Sequence, residues 1–117
     1  MTKPSNICGH EEVRRFLESY LLFRQMLAGN RYARKYLDRE DQANTSHDDP
    51  FLKAEMLRVR QFIMTLPDCR EKMFLYYRYL CGHSIEKCAD ILEMSRRTAF
   101  RVATRAICLA AEHFKGI

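Results

Sequence analysis

Ser84 and Ser95 stand eleven residues apart, and each opens a short run whose apolar residues recur at helical spacing. A serine hydroxyl at such a position accepts from the free amides of the first helical turn. Ile85, Cys88, Ala89, Ile91 and Leu92 form the apolar face of the first run, and Glu86 adds a charge that the N-terminal dipole favours. Only Glu93 and Met94 separate it from Ser95, after which Ala99, Val102, Ala103, Ala106, Ile107 and Ala110 mark an inner face that extends to about Phe114. Two capped helices joined by so short a turn must cross at an angle, the helix-turn-helix arrangement. Ala89 is small enough to let them approach, and Leu92, Met94, Ala99 and Val102 are placed to fill the angle.

The rest of the chain carries the same periodicity. With 117 residues there is room for one compact domain. Four glycines, three prolines and no dense Val/Ile/Thr run argue against a sheet, so the expected fold is all-α. Residues 1–9 read as a frayed leader, and from His10 onward Val13, Phe16, Leu17, Tyr20, Leu21, Met26 and Leu27 form an apolar stripe. Gly29-Asn30 allows either one long bent helix or two shorter ones. Residues 41–50 (DQANTSHDDP) are polar and acidic and read as a linker. The expected organisation is therefore a helical N-terminal arm over 1–40, a linker over 41–50 and a helix-turn-helix domain over 51–117. Within that domain Leu52, Met56, Val59 and Ile63 define a helix that Leu66-Pro67 ends, and Pro67 starts another. The buried side of that next helix is read as Met73, Phe74, Tyr77 and Leu80, with its end near Gly82.

Charge narrows the partners. The net charge of +5 divides as +3 over 1–40, −1 over 41–65 and +3 over 66–117, so the basic excess sits at the two ends. That distribution suits a polyanion without requiring one. Five cysteines, an odd number, with Cys88 and Cys108 at core spacing, suit a reducing cytoplasm rather than a disulfide framework. No run of residues is long and apolar enough to span a bilayer, and no membrane partner is expected.

From Ser95 to Arg105 there are four arginines and no carboxylate. The inner-face assignment leaves Arg96, Arg97, Phe100, Arg101, Thr104 and Arg105 pointing outward. A guanidinium can grip guanine O6 and N7 with two bonds, and an apolar edge can touch a thymine methyl. Arg96, Arg97, Phe100 and Arg101 are accordingly the base-reading candidates for double-stranded DNA. Ser84, Lys87, Ser95, Thr98, Thr104 and Arg105 are the candidates for the sugar-phosphate backbone.

The run Arg78 to Thr98 (RYLCGHSIEKCADILEMSRRT), preceded by Leu66-Pro67, resembles region four of bacterial sigma factors. The resemblance covers roughly residues 61–114. It implies a module that recognises the −35 promoter element and touches RNA polymerase. Nothing resembles region two of those factors, so the chain is similar instead to small phage and prophage transcriptional regulators of Gram-positive bacteria. Three positions depart from the family pattern. Glu93 stands where glycine is usual, which implies a positive φ at a non-glycine residue, and Cys88 replaces a branched aliphatic. The helix after Leu66-Pro67 is one residue longer than the common form.

Other features weigh less. Cys8-Gly9-His10 recurs as Cys81-Gly82-His83, but without metal-ligand spacing, so no metal or other cofactor is expected. His47-Asp48-Asp49 lacks a nucleophile or a second convergent site, so no enzyme is expected either. Tyr76, Tyr77 and Tyr79 read as interhelical packing. The N-terminal stripe either folds back as core or pairs with a second copy in a homodimer, the latter preferred, and the basic run Arg31 to Arg39 is a further candidate for DNA backbone. Two functions remain: a sequence-specific DNA-binding regulator in the cytoplasm, associated with the nucleoid, or a module that engages RNA polymerase or a sigma-type partner without binding DNA itself.

Overall fold

The computed structural model describes residues 3–36 and 41–114, with side chains over 10–33, 35–36 and 49–114. Its elements are α1 (Lys3–Tyr36), α2 (Asp41–Met64), α3 (Arg70–Leu75), a π-helical segment (Tyr76–Leu80), α4 (Ile85–Ile91) and α5 (Arg96–Phe114). The chain is all-α, with no strand among the described residues.

α1 begins at Lys3, not His10, and passes through Gly29-Asn30 without interruption. Pro4 falls in its first turn, where a missing amide costs nothing. The larger departure is at 41–50, which is not a linker but the first part of α2. The stretch has no glycine, and Asp41 stands at the end of the helix where the dipole favours a carboxylate. The Asn30 amide donates to Asp49 Oδ1 at 3.0 Å, tying α2 to α1, and the helix continues through Pro50. The helix expected to start at Pro67 starts three residues later, with an extended Cys69 before Arg70. Lys72 fills the gap, since its ammonium donates to Met64 O at the end of α2 and to Asp68. That contact holds the exposed Asp68 carboxyl below its usual pKa.

Two apolar clusters share the molecule. The larger joins Val13 and Leu17 of α1, Val59, Phe62 and Ile63 of α2, Leu75 and Leu80, and Ala106, Ile107, Ala110 and Ala111 of α5. Most of the N-terminal stripe is used inside this chain: Val13 and Leu17 are fully buried and Phe16 and Tyr20 pack against the cluster, while Met26 stays 45% exposed. Phe16, Phe62 and Phe114 meet in a triangle with ring centroids 5.1–5.7 Å apart, pinning α1, α2 and α5 together. Such aromatic pairs each contribute about 0.5–1.5 kcal/mol beyond the area they bury. The smaller cluster joins Phe74, Cys88, Ala89, Ala99 and Val102, with Ile85, Leu92 and Met94 packed against it. Phe74 and Leu75 are adjacent residues serving different clusters, which is why Leu75 is buried and Met73, expected inside, is 41% exposed.

The extra residue before Gly82 is absorbed by the π-helical segment, where Cys81 N–H donates to Tyr76 O across five residues. Its end is closed by two guanidiniums: Arg24 of α1 donates to Leu80 O, and Arg78 to His83 O at 2.9 Å. Gly82 there has φ +78, and a Cβ would lie 3.3 Å from Leu21 Cδ2 of α1. α4 ends in a Schellman motif, Met94 N–H donating to Ala89 O and Glu93 N–H to Asp90 O. Glu93 occupies its left-handed position with φ 55. Replacing Glu93 with Gly should therefore raise stability by about 0.5–1 kcal/mol, because only the side chain resists that conformation. Gly82→Ala should lower it by about 1–2 kcal/mol; opposite shifts of the midpoint in urea melts of the two variants are the check.

Candidate nucleic-acid interface

The turn between α4 and α5 is held by Ser95, whose hydroxyl accepts from Thr98 N–H at 3.2 Å and meets Thr98 Oγ1 at 3.0 Å. Ser84 caps α4 in the same way, accepting from Lys87 N–H at 3.1 Å. Thr104 Oγ1 donates back to Phe100 O. Four of the side chains assigned to DNA backbone, Ser84, Ser95, Thr98 and Thr104, thus have partners within the chain that fix the two helices. Lys87 and Arg105, the other two, are exposed.

Burial of Ala99, Val102, Ala106 and Ala110 turns the opposite side of α5 outward. Arg97, Arg101 and Thr104, at four- and three-residue steps, form the crest of that side and are all exposed. Arg96 and Phe100 lie to one flank of the crest, and Phe100 is 51% exposed, a large apolar surface for a side chain with no structural demand to be there. Arg105 lies to the other flank. Among the described residues none of the four guanidiniums, Arg96, Arg97, Arg101 or Arg105, is hydrogen-bonded or ion-paired to another side chain. The structure thus places all four base-reading candidates on one accessible surface.

The two flanks differ. Phe100 rims a cavity of about 300 Å³ that α1, the π-helical segment, α4 and α5 enclose, with Phe74, Leu75, Ile85 and Ile107 as its apolar wall. Arg14, Glu18, Arg78 and Tyr79 converge on the same cavity. Burial pushes the Tyr79 phenol above its ordinary pKa, against the opposing pull of Arg78 and Arg14. No spacing in the sequence announces this group, since its members come from segments some sixty residues apart. Arg105 borders a shallower groove with Cys69, Glu71, Cys108 and Glu112, so its charge is partly offset by two carboxylates. α4 and the turn after it are acidic on the exposed side, where Glu86 and Asp90 of the helix and Glu93 of the turn outnumber Lys87.

The tyrosines at 76, 77 and 79 are half-buried and pack between helices; Tyr77 stacks on His83 at 6.4 Å. Burial raises the Cys88 thiol pKa, keeping it protonated as a small core residue. Cys8 and His47-Asp48 fall outside the described side chains, as do Arg34 and Arg39 of the basic run. Among the described residues no group of three His, Cys, Asp or Glu is placed to hold a metal ion, and no helix is long and apolar enough to cross a membrane.

Ser95→Ala should lower unfolding free energy by about 1 kcal/mol, since it leaves the Thr98 amide without its acceptor, and the loss should appear in thermal melts without any ligand. Compared with models of known families, with curated proteins and with solved structures, the chain has no match.

Proposed function

We propose that this protein is a sequence-specific DNA-binding transcriptional regulator in which α4 and α5 act as a helix-turn-helix and α5 enters the major groove. The observation that carries the reading is the outer face of α5: four guanidiniums and a half-exposed phenylalanine, none engaged with another side chain. Exposed like charges at four-residue steps repel by only about 0.2–0.5 kcal/mol per pair, so the face is stable alone, and its concentrated positive charge is what a polyanion's phosphates match. The sigma-region-four resemblance of residues 61–114 supports the same reading and suggests a phage or prophage regulator acting at the nucleoid.

In this reading Arg97 and Arg101, on the crest, carry the bidentate contacts to guanine, while Arg96 and Phe100 reach neighbouring base edges. Arg105 grips backbone. The capping hydroxyls of Ser95 and Thr98 orient the helix rather than the DNA, and the N-terminus of α5 itself favours phosphate.

One observation favours the rival, a module that engages RNA polymerase without independent DNA affinity. The exposed side of α4 and the turn after it carries Glu86, Asp90 and Glu93 beside a single Lys87, which is poor surface for a phosphate track. A mobility-shift series on a duplex library at low and moderate salt separates the two, followed by a pull-down with polymerase. Arg97→Ala and Arg101→Ala should each weaken specific binding by about 1–3 kcal/mol and relax base preference, whereas Arg105→Ala should weaken all sequences alike. Equal losses on every sequence for the two crest variants would remove their base-reading role, and flat, weak DNA affinity with firm polymerase binding would select the rival.

A further inference from the structure

The cavity that Phe100 rims has two unlike sides. Phe74, Leu75, Ile85 and Ile107 make one of them apolar, and Arg14, Glu18, Arg78 and Tyr79 gather on the other. Arg14 comes from α1 and Arg78 from the π-helical segment, yet both act on the Tyr79 phenol, so two guanidiniums from separate elements meet at one place. Among the described residues neither of them is ion-paired, nor is Glu18. Arg78 gives one N–H to His83 O and keeps the rest of its five donors. Arg78 and Tyr79 are half-buried, while Arg14 and Glu18 stand exposed at the mouth. At about 300 Å³ the cavity lies at the lower end of the range of small-molecule sites, which combine an apolar lining with a few converging polar groups.

We propose that the cavity binds a small monocarboxylate with an apolar body, its carboxylate between Arg14 and Arg78 and its ring or branched chain against Phe74, Ile85 and Ile107. Charge selects the head group. Two guanidiniums against the one carboxylate of Glu18 leave the polar side with one net positive charge, and burial keeps the Tyr79 phenol protonated as a neutral donor. A monoanion cancels that charge, whereas a dianion overshoots it and meets the Glu18 carboxylate. A planar carboxylate also accepts from a guanidinium through two parallel bonds, a geometry that fixes its orientation. The wall selects the body, since a phenyl or branched group placed there leaves water and a bare acetate gains nothing from it. Phe100, 51% exposed at the rim, is positioned to cover such a group. The inference is independent of the DNA-binding reading.

Titration calorimetry of the full-length chain without DNA, with hydrocinnamate and isocaproate as probes, should show saturable binding with a Kd of about 0.1–1 mM, as ligands of this size allow. In an amide NMR titration the cross-peaks of Tyr79, Ile85, Phe100 and Ile107 should move together. Hydrocinnamide, which lacks the charge, acetate, which lacks the apolar body, and phenyl phosphate, a dianion, should each bind about tenfold more weakly or worse. Arg14→Gln, at an exposed position, should weaken both carboxylates about tenfold with helicity by circular dichroism unchanged. Ala103→Leu, which fills the cavity, should abolish binding, and Arg31→Gln, on α1 outside it, should change nothing. Absence of saturable binding by either carboxylate up to about 10 mM would overturn the proposal. So would equal affinity for hydrocinnamide or phenyl phosphate, or binding that Arg14→Gln leaves unchanged. A failure of DNA binding in the mobility shifts would not bear on it.

Discussion

The inner face of α5 is the constraint on which the rest of the molecule depends. Its first half, Ala99 and Val102, closes the cluster beneath α4, and its second half, Ala106, Ile107, Ala110 and Ala111, closes the cluster that α1 and α2 build. Four of those six side chains are alanine, so neighbouring helices come close to the α5 backbone and little tolerance remains for rotation about its axis. A turn of α5 by one residue would carry Arg101 and Arg105 into the clusters in one direction and Glu112 in the other, at a cost far above what any single contact returns. The guanidiniums face outward because the alanines leave them no other direction. Core and candidate interface are two readings of one periodic pattern.

Around that helix, irregular backbone sets the angles. The π-helical segment at Tyr76–Leu80 widens one turn; Arg24 closes its last carbonyl, on Leu80, and Arg78 closes that of His83 in the loop that follows. Beyond it Gly82 takes a left-handed conformation in a place where an added Cβ would crowd Leu21 of α1. At the other end of α4, Glu93 holds a left-handed conformation that glycine adopts more cheaply. Strain there is small beside the two hydrogen bonds of the Schellman motif. It is the kind of local cost that persists where surrounding structure over-determines the backbone.

Much of this was legible in the residues. The capping serines and the inner face of α5 follow from rules that act within one or two helical turns, the positive φ at Glu93 was implied by the resemblance alone, and the structure has all three at those positions. The helical state of 41–50 was not legible. Local composition argued for a loop, while the Asn30–Asp49 hydrogen bond from α1, nineteen residues back in the chain, is a tie that no rule acting within one or two turns would find. The exchange of Met73 for Leu75 has a similar origin, because a helix serving two clusters has no single stripe to find. The cavity beside Phe100 is the extreme case: Arg14, Arg78 and Phe100 meet only after three separate segments have folded.

The size of the α5 face bears on how many copies a regulator of this kind needs. A single helix with four outward guanidiniums and one aromatic reads a few base pairs, each good contact giving about 1–3 kcal/mol of discrimination. Competing non-specific sites in a genome number about a million or more, so useful selectivity calls for a longer site than one helix spans. The acidic outer side of α4 offers little to extend it. Lengthening the site therefore requires a second reading helix, which two-fold related half-sites one helical turn apart would engage from a second copy of the chain.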